Sequence, residues 1–91
     1  MRAAVFEGPG SVELRDVPDP RIEQATDALV RITTSTICGT DIRIFEGLIP
    51  APTGAALGHE FVGVVEDVGE AVHRIRAGQR VVSPFSTSCG R

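Results

Sequence analysis

A chain of 91 residues with 42% hydrophobic and 23% charged residues has the length and composition of one small globular domain. Its net charge of −3, with nine arginines against twelve acidic residues, argues against nucleic-acid binding, and four Phe as the sole aromatic residues argue against base stacking. No apolar run reaches the length of a membrane span, and the N-terminal residues do not form a signal peptide. We therefore expect a cytoplasmic protein with reduced cysteines and with neither membrane nor nucleic-acid partners.

Apolar and polar residues alternate through much of the chain, and Gly or Pro interrupts the pattern at intervals typical of a small β-barrel or sandwich. The first two predicted strands form a hairpin around Gly8-Pro9-Gly10, with Val12 and Leu14 facing inward. The fourth predicted strand, residues 61–68, is almost continuously apolar, which predicts burial on both of its faces. Gly63 within it predicts a bulge or a close approach of a neighbouring backbone. The predicted strands cover residues 2–6, 11–17, 27–38, 61–68 and 80–82.

One short helix is predicted over residues 40–46. Thr40 or Asp41 suits its N-cap, and Gly47 suits the position after its C-cap. The following stretch, residues 48–57, contains two Pro and no charged residue, so it predicts a loop.

The tripeptide Gly58-His59-Glu60 lies between this loop and the predicted buried strand. Imidazole is the commonest zinc ligand, and its second ring nitrogen normally needs an acceptor that fixes its orientation. Taken alone, the same residues also fit a histidine that begins a strand, followed by a solvated Glu.

A second cluster, Cys38-Gly39-Thr40-Asp41, lies where the longest predicted strand meets the helix. The helix dipole stabilises a thiolate at this point, which suits metal ligation, and Asp41 could orient a ligating histidine. The alternative is a buried cysteine beside an ordinary helix start. Cys89, near the C-terminal end, indicates nothing by itself, and a disulfide between it and Cys38 is the less favoured alternative to two reduced thiols.

Together these motifs resemble the zinc-containing alcohol dehydrogenases of the medium-chain dehydrogenase/reductase superfamily. Two further stretches, residues 49–58 and 83–90, are most similar to the formaldehyde-dehydrogenase-like branch. The resemblance implies a mostly β fold, a GroES-like partly open β-barrel with one short helix after the Cys-Gly-Thr-Asp motif. The segments that carry it are residues 1–10, 17–20, 37–47, 58–69 and 78–82.

The resemblance implies metal ligands among the residues of both clusters. Cys38 and His59 correspond to two ligands of a catalytic zinc ion, and Glu60 to a carboxylate beside the metal. Cys89 matches the first of four cysteines that hold a structural zinc ion in many members.

The resemblance also implies two catalytic residues. Thr40 would take the proton from the alcohol, and Asp41 would accept a hydrogen bond from His59. Many members carry a second histidine, two residues after this Asp, that passes the proton to solvent. Arg43 stands there in this sequence, and a guanidinium cannot act as a base near neutral pH.

Residues 1–91 are therefore expected to form the GroES-like N-terminal domain of a longer enzyme, ending at the start of the structural-zinc loop and without the nucleotide-binding domain. The expected reaction is oxidation of an alcohol to an aldehyde or ketone by hydride transfer to NAD(P), in a homo-oligomer. The 91-residue chain is expected to be inactive by itself and to hold no cofactor-binding residues for the dinucleotide. The alternatives are a stand-alone GroES-like barrel used as a binding or co-chaperonin-like module and a zinc-free reductase relative, which would lack Cys38 and His59.

Overall fold

The computed structural model describes residues 1–86, and within them it contains five strands and one helix. The described residues form two compact units, the first from residues 1–19 and 36–59 and the second from residues 20–35 and 60 onward. The prediction of a mostly β fold with one short helix is confirmed. In chain order the elements are β1 (Arg2–Gly8), β2 (Ser11–Asp16), β3 (Ala28–Ser35), α1 (Gly39–Phe45), β4 (Phe61–Val68) and β5 (Arg80–Ser83).

The first unit is built on the antiparallel hairpin of β1 and β2, which reverses at Pro9 and Gly10. Val5 and Phe6 on β1 are buried, with 2% and 3% of their surface exposed. The prediction that Val12 and Leu14 face inward was wrong in terms of burial, since they are 38% and 65% exposed. The reason is that every residue of β2 is exposed, so no described part of this unit covers either face of the strand.

The other edge of β1 is covered by residues 54–57, which the sequence predicted only as loop. Gly54 donates its N–H to the Phe6 carbonyl at 2.7 Å, and Leu57 donates to the Ala4 carbonyl at 2.8 Å. Ala56 forms an isolated antiparallel bridge with Val5. This short return segment therefore extends the hairpin by a partial third strand.

Helix α1 is fixed to the turn of the hairpin. Gly10 donates its N–H to the carbonyl of Phe45 in the last turn of the helix, at 2.5 Å. Glu46 is the C-cap, and Gly47 follows with a φ of +85°, a conformation that favours glycine. A Cβ at residue 47 would also lie 3.1 Å from the Pro9 ring, so glycine fits there for two reasons.

The second unit is a three-stranded antiparallel sheet in the order β3-β4-β5. Val65 in the central strand is 1% exposed. A Cβ at Gly63 would lie 2.6 Å from the carbonyl oxygen of Arg31, so the predicted close backbone approach is confirmed. The register shift opposite Gly63 falls between Ile32 and Thr34, which places the irregularity on β3.

Burial of β4 on both faces is confirmed only in part. Gly63 and Val65 are buried, but the strand is half-buried at its other apolar positions and exposed at Glu66 and Asp67. A three-stranded sheet with two edge strands covers its central strand less completely than the apolar run predicted. Within residues 1–86, the seven-residue α1 is too short to cross a membrane, and no other helix is present that could do so.

Candidate metal centre

The start of α1 holds Cys38, Thr40 and Asp41 in one turn. Cys38 is the N-cap, with extended backbone, and Asp41 is the third helical residue. The Asp41 Oδ2 atom accepts a hydrogen bond from the Cys38 backbone N–H at 3.0 Å. The Asp41 N–H in turn donates to the Cys38 carbonyl at 3.0 Å. The prediction of Thr40 or Asp41 as N-cap was wrong, because the Asp41 side chain reaches back to cap the residue that precedes the helix.

His59 reaches the same place from the return segment that pairs with β1. After the last of these backbone bonds, at Leu57, Gly58 adopts a φ of +107° and redirects the chain into His59. Such a φ is strained for residues with a Cβ, so glycine allows the change of direction. Both the helix start and the histidine are thereby positioned by hydrogen bonds to the same hairpin.

Cys38 and His59 lie side by side. The Sγ atom of Cys38 and a ring nitrogen of His59 are within 4.8 Å of each other. Two ligands of a tetrahedral zinc ion, with bonds of about 2.3 Å to sulfur and about 2.1 Å to nitrogen, lie roughly 3.6 Å apart. The observed pair therefore needs little adjustment to bind one ion.

Asp41 contacts the histidine as well as the cysteine. Its Oδ1 atom lies 3.5 Å from Nδ1 of His59, while its Oδ2 atom bonds to the Cys38 N–H. The Asp41 side chain is 12% exposed and that of His59 is 35% exposed. The carboxylate is thus held largely out of solvent, between the two predicted ligands.

Thr40 lies on the solvent side of this cluster. The Cys38 thiol donates a weak hydrogen bond to Thr40 Oγ1 at 3.7 Å, and the Thr40 residue is exposed. A hydroxyl group that both donates and accepts hydrogen bonds therefore lies next to the sulfur atom and is open to an incoming ligand.

The remaining predicted site residues are placed as follows. Glu60 follows His59 in the chain, is half-buried and begins the second unit. Arg43 is exposed on the helix. Cys89 lies outside the described residues, so its role in a structural zinc site stays a prediction.

Sequence reasoning missed the capping bond between Asp41 and Cys38. The signal was available, because an acidic residue three positions after an N-cap is the pattern of a capping box, but a cysteine is an unusual N-cap. It also missed the partial strand at residues 54–57, whose Pro- and Gly-rich neighbours obscure any alternation.

Comparison with known proteins identifies the family. The sequence profile described as the alcohol dehydrogenase GroES-like domain matches residues 24–91. This chain belongs to the alcohol dehydrogenase GroES-like domain family.

Individual relatives match along almost the whole chain. Zinc-type alcohol dehydrogenase B of Aspergillus flavus is 44% identical over 90 residues, which are 99% of this chain and 21% of that protein. The glutathione-independent formaldehyde dehydrogenase of Pseudomonas aeruginosa is 34% identical over 95 residues, covering 98% of this chain and 24% of that protein. The structure of an alcohol dehydrogenase from Thermus sp. ATN1 superposes with a TM-score of 0.90 at 47% identity, over 99% of this chain and 26% of that one.

These matches confirm the resemblance to zinc-containing alcohol dehydrogenases, with a formaldehyde dehydrogenase among the relatives. They also confirm the GroES-like fold, since the superposed structure is that of an alcohol dehydrogenase. The chain spans about a quarter of the length of the curated relatives it matches.

Proposed function

We propose that this chain is the metal-holding N-terminal domain of a zinc-dependent alcohol dehydrogenase. The whole enzyme would oxidise an alcohol to an aldehyde or ketone by hydride transfer to NAD(P). The observation that carries this proposal is the arrangement of Cys38, Asp41 and His59, in which a thiol and an imidazole lie within 4.8 Å and one carboxylate contacts both residues.

The donor set fits zinc better than Mg²⁺ or Ca²⁺. Thiolate and imidazole are preferred ligands of Zn²⁺, whereas Mg²⁺ and Ca²⁺ select oxygen ligands. Cys38 and His59 would hold the ion, with the Glu60 carboxylate next in the chain as an additional donor. When bound, zinc supplies Lewis acidity that lowers the pKa of a substrate hydroxyl group.

Asp41 prepares the histidine for this role. The carboxylate faces Nδ1 of His59, so Nε2 is the ring nitrogen that would bind the metal. A partly buried carboxylate at this position favours one orientation of the ring and increases the basicity of the coordinating nitrogen.

Thr40 Oγ1 is assigned the proton of the alcohol. Its exposure and its distance of 3.7 Å from Cys38 Sγ support this assignment. The hydroxyl accepts a hydrogen bond from the alcohol and donates its own proton onward to water. Arg43 is assigned no part in proton transfer, because a guanidinium group does not act as an acid or a base near neutral pH.

Hydride transfer requires a dinucleotide site, for which we assign no residues of this chain. We therefore propose that the NAD(P)-binding part belongs to the longer protein, which is cytoplasmic and assembles as a homo-oligomer. The 91-residue chain alone is then inactive. Small alcohols and aldehydes are the proposed substrates.

The test is an alcohol-dependent NAD(P)H assay on the full-length gene product, together with measurement of its zinc content. We expect Cys38→Ser and His59→Ala to lose one zinc ion per chain and nearly all turnover, while His73→Ala, at an exposed loop position, keeps both. Full activity without zinc, or no activity in a zinc-loaded protein across primary and secondary alcohols, would exclude the proposal in favour of a zinc-free reductase or a binding module.

A further inference from the structure

The end of α1 that lies away from the metal centre is held by the turn of the β1–β2 hairpin. Gly10 donates its N–H to the Phe45 carbonyl at 2.5 Å, and within residues 1–86 this is the one backbone hydrogen bond that joins α1 to the hairpin. Directly after the helix, a Cβ at Gly47 would lie 3.1 Å from both Cβ and Cγ of Pro9, so the proline ring lies against the glycine backbone. The last turn of α1 thus meets the hairpin at two adjacent points.

The turn can support the helix because the hairpin around it is well fixed. The pairing of β1 and β2 continues up to Gly8 and Ser11 on either side of the turn. Val5 and Phe6 are buried and anchor β1 in the core of the first unit. The ring of Pro9 fixes its own φ at about −65°. The turn therefore moves little relative to β1, which also carries the return segment.

The proposed metal ligand of α1 lies at the opposite end of the helix. Cys38 is the N-cap, and the seven residues from Gly39 to Phe45 place it about 10 Å from the held end. A tilt of about 6° about that end therefore moves Cys38 by about 1 Å. His59 does not follow the helix backbone, because its segment is bonded to β1 through the Leu57 N–H. The tilt of α1 therefore sets the distance between the two proposed ligands.

We propose that Pro9 and Gly47 are positioning residues for the metal centre. The single hydrogen bond from Gly10 would act as a pivot, whereas the contact between the Pro9 ring and Gly47 restricts rotation about it. The contact thereby fixes the tilt of α1 and with it the separation of the Cys38 thiolate and the His59 imidazole, which a functional site must hold to within about 0.5 Å. This inference rests on the proposed function, because it needs Cys38 and His59 to bind one metal ion.

Gly47→Ala tests this role, because the added Cβ forces the Pro9 ring and the last turn of α1 apart. The full-length gene product is loaded with Co²⁺, and the part of its thiolate charge-transfer absorption that is lost in His59→Ala reports this site. We expect Gly47→Ala to shift the wavelength of this His59-dependent band and to lower the Co²⁺ affinity about tenfold. A purely structural role would lower the free energy of unfolding and leave the band of the folded protein where it is.

Two controls separate the contact from the backbone strain of the same substitution. Gly78 has a φ of +93°, close to the +85° of Gly47, but a Cβ there would meet nothing within 4 Å. Gly78→Ala should therefore leave both the band and the affinity unchanged. In a Pro9→Gly background, which removes the ring, Gly47→Ala should lose most of its effect on affinity.

A second variant keeps the test decisive if Gly47→Ala does not fold. Pro9→Ala removes the ring without adding atoms, and it should weaken Co²⁺ binding at least about threefold because α1 regains the rotation that the ring restricts. A His59-dependent band that neither variant alters, in wavelength or in affinity, overturns the positioning role alone. A full-length protein that binds Co²⁺ without any His59-dependent band overturns the proposed function as well.

Discussion

The carboxylate of Asp41 lies 3.5 Å from the imidazole of His59, and its other oxygen bonds to the backbone N–H of Cys38. One side chain therefore contacts both predicted ligands, although 20 residues separate them in the sequence. Because Asp41 contacts both residues, the protein's own bonds preorganise the pair. Preorganised ligands lose less freedom on binding a metal than mobile ones do.

The first prediction concerns metal binding by the 91-residue chain. Cys38 and His59 are two proposed ligands, and with Glu60 only as an additional donor they fall short of the three regular ligands that catalytic zinc sites usually take from the protein. We expect weak, dialysable zinc binding, detectable with Co²⁺ by the thiolate charge-transfer absorption. His59→Ala should abolish this band, and the matched change His73→Ala in the exposed loop should not alter it. Stoichiometric zinc that survives dialysis against a chelator would contradict the expected weakness.

The second prediction separates the two contacts of Asp41. Asp41→Asn keeps an acceptor oxygen for the Cys38 N–H but removes the charge beside His59, so Co²⁺ affinity should fall about 10- to 100-fold with little loss of stability. Asp41→Ala removes both contacts and should in addition destabilise the fold by about 1 kcal/mol.

The control for this pair is Asp27→Asn. The Asp27 carboxylate accepts hydrogen bonds from the N–H groups of Glu23 and Gln24 in the second unit, at 3.1 and 2.9 Å. Asp27→Asn should alter stability without altering metal affinity. Equal Co²⁺ affinity for Asp41→Asn and the original chain would show that the carboxylate does not orient the histidine.

The third prediction concerns turnover of the full-length gene product. Thr40→Val removes the hydroxyl assigned to the proton of the alcohol and should lower kcat by about 10²- to 10⁴-fold, whereas Thr40→Ser should keep most activity. Arg43→Gln should leave the pH midpoint of kcat unchanged, because a guanidinium group does not exchange protons with a substrate near neutral pH. A large shift of that midpoint would show that the charge of Arg43 acts on the site.

The fourth prediction uses two glycines with opposite surroundings. Gly63→Ala places a Cβ 2.6 Å from both the Arg31 carbonyl oxygen and a methyl group of Val30, and should cost about 1–3 kcal/mol of unfolding free energy. Gly39→Ala places its Cβ in open space at the first helical residue and should be neutral or stabilising by up to about 1 kcal/mol. Urea denaturation measures both, and a neutral Gly63→Ala would mean that β3 can move away from β4 freely.

The fifth prediction concerns acid stability. The N-terminal ammonium of Met1 lies 2.6 Å from Asp19 and lowers the pKa of that carboxyl, first by hydrogen bonding and then by its charge. A lowered pKa in the folded state stabilises the fold above the unfolded value of about 3.9, and this contribution is lost as the pH falls through the folded-state pKa. Asp19→Asn should therefore lower Tm slightly at pH 6 and not at pH 2.5. An equal difference at both pH values would contradict the ion pair.

The elements were predictable from the sequence where a local rule decided them. Gly47 follows the end of the helix because glycine readily adopts its positive φ. Gly63 lies where β3 and β4 approach too closely for a Cβ, so both features follow from residue type. Burial was less predictable. Val12 and Leu14 alternate as a buried face would, but whether another part of the chain packs on that face depends on the tertiary structure, which alternation does not reveal.

The sequence predicted the residues of the candidate site, but it did not predict how they contact one another. Family motifs pointed to Cys38 and His59, but no spacing rule states that the Asp41 carboxylate divides its two oxygens between them. That arrangement depends on the tertiary path that brings the return segment to the start of α1. Glu60 and Cys89 stay as predictions, to be tested by the metal content of the variants described above.

The pairing of residues 54–57 with β1 has a consequence for insertions and deletions. His59 is positioned by bonds to Ala4 and Phe6, and α1 by its bond to Gly10. Leu48 and Ile49 donate to the Arg43 carbonyl of α1, and the Pro52 carbonyl accepts from Ala55, so only the short stretch at residues 50 and 51 sets neither position. Related sequences should therefore tolerate length variation in this stretch, since a longer surface loop adds little entropic cost. A one-residue change between Gly54 and His59 should not be tolerated, because it would point the imidazole away from Cys38.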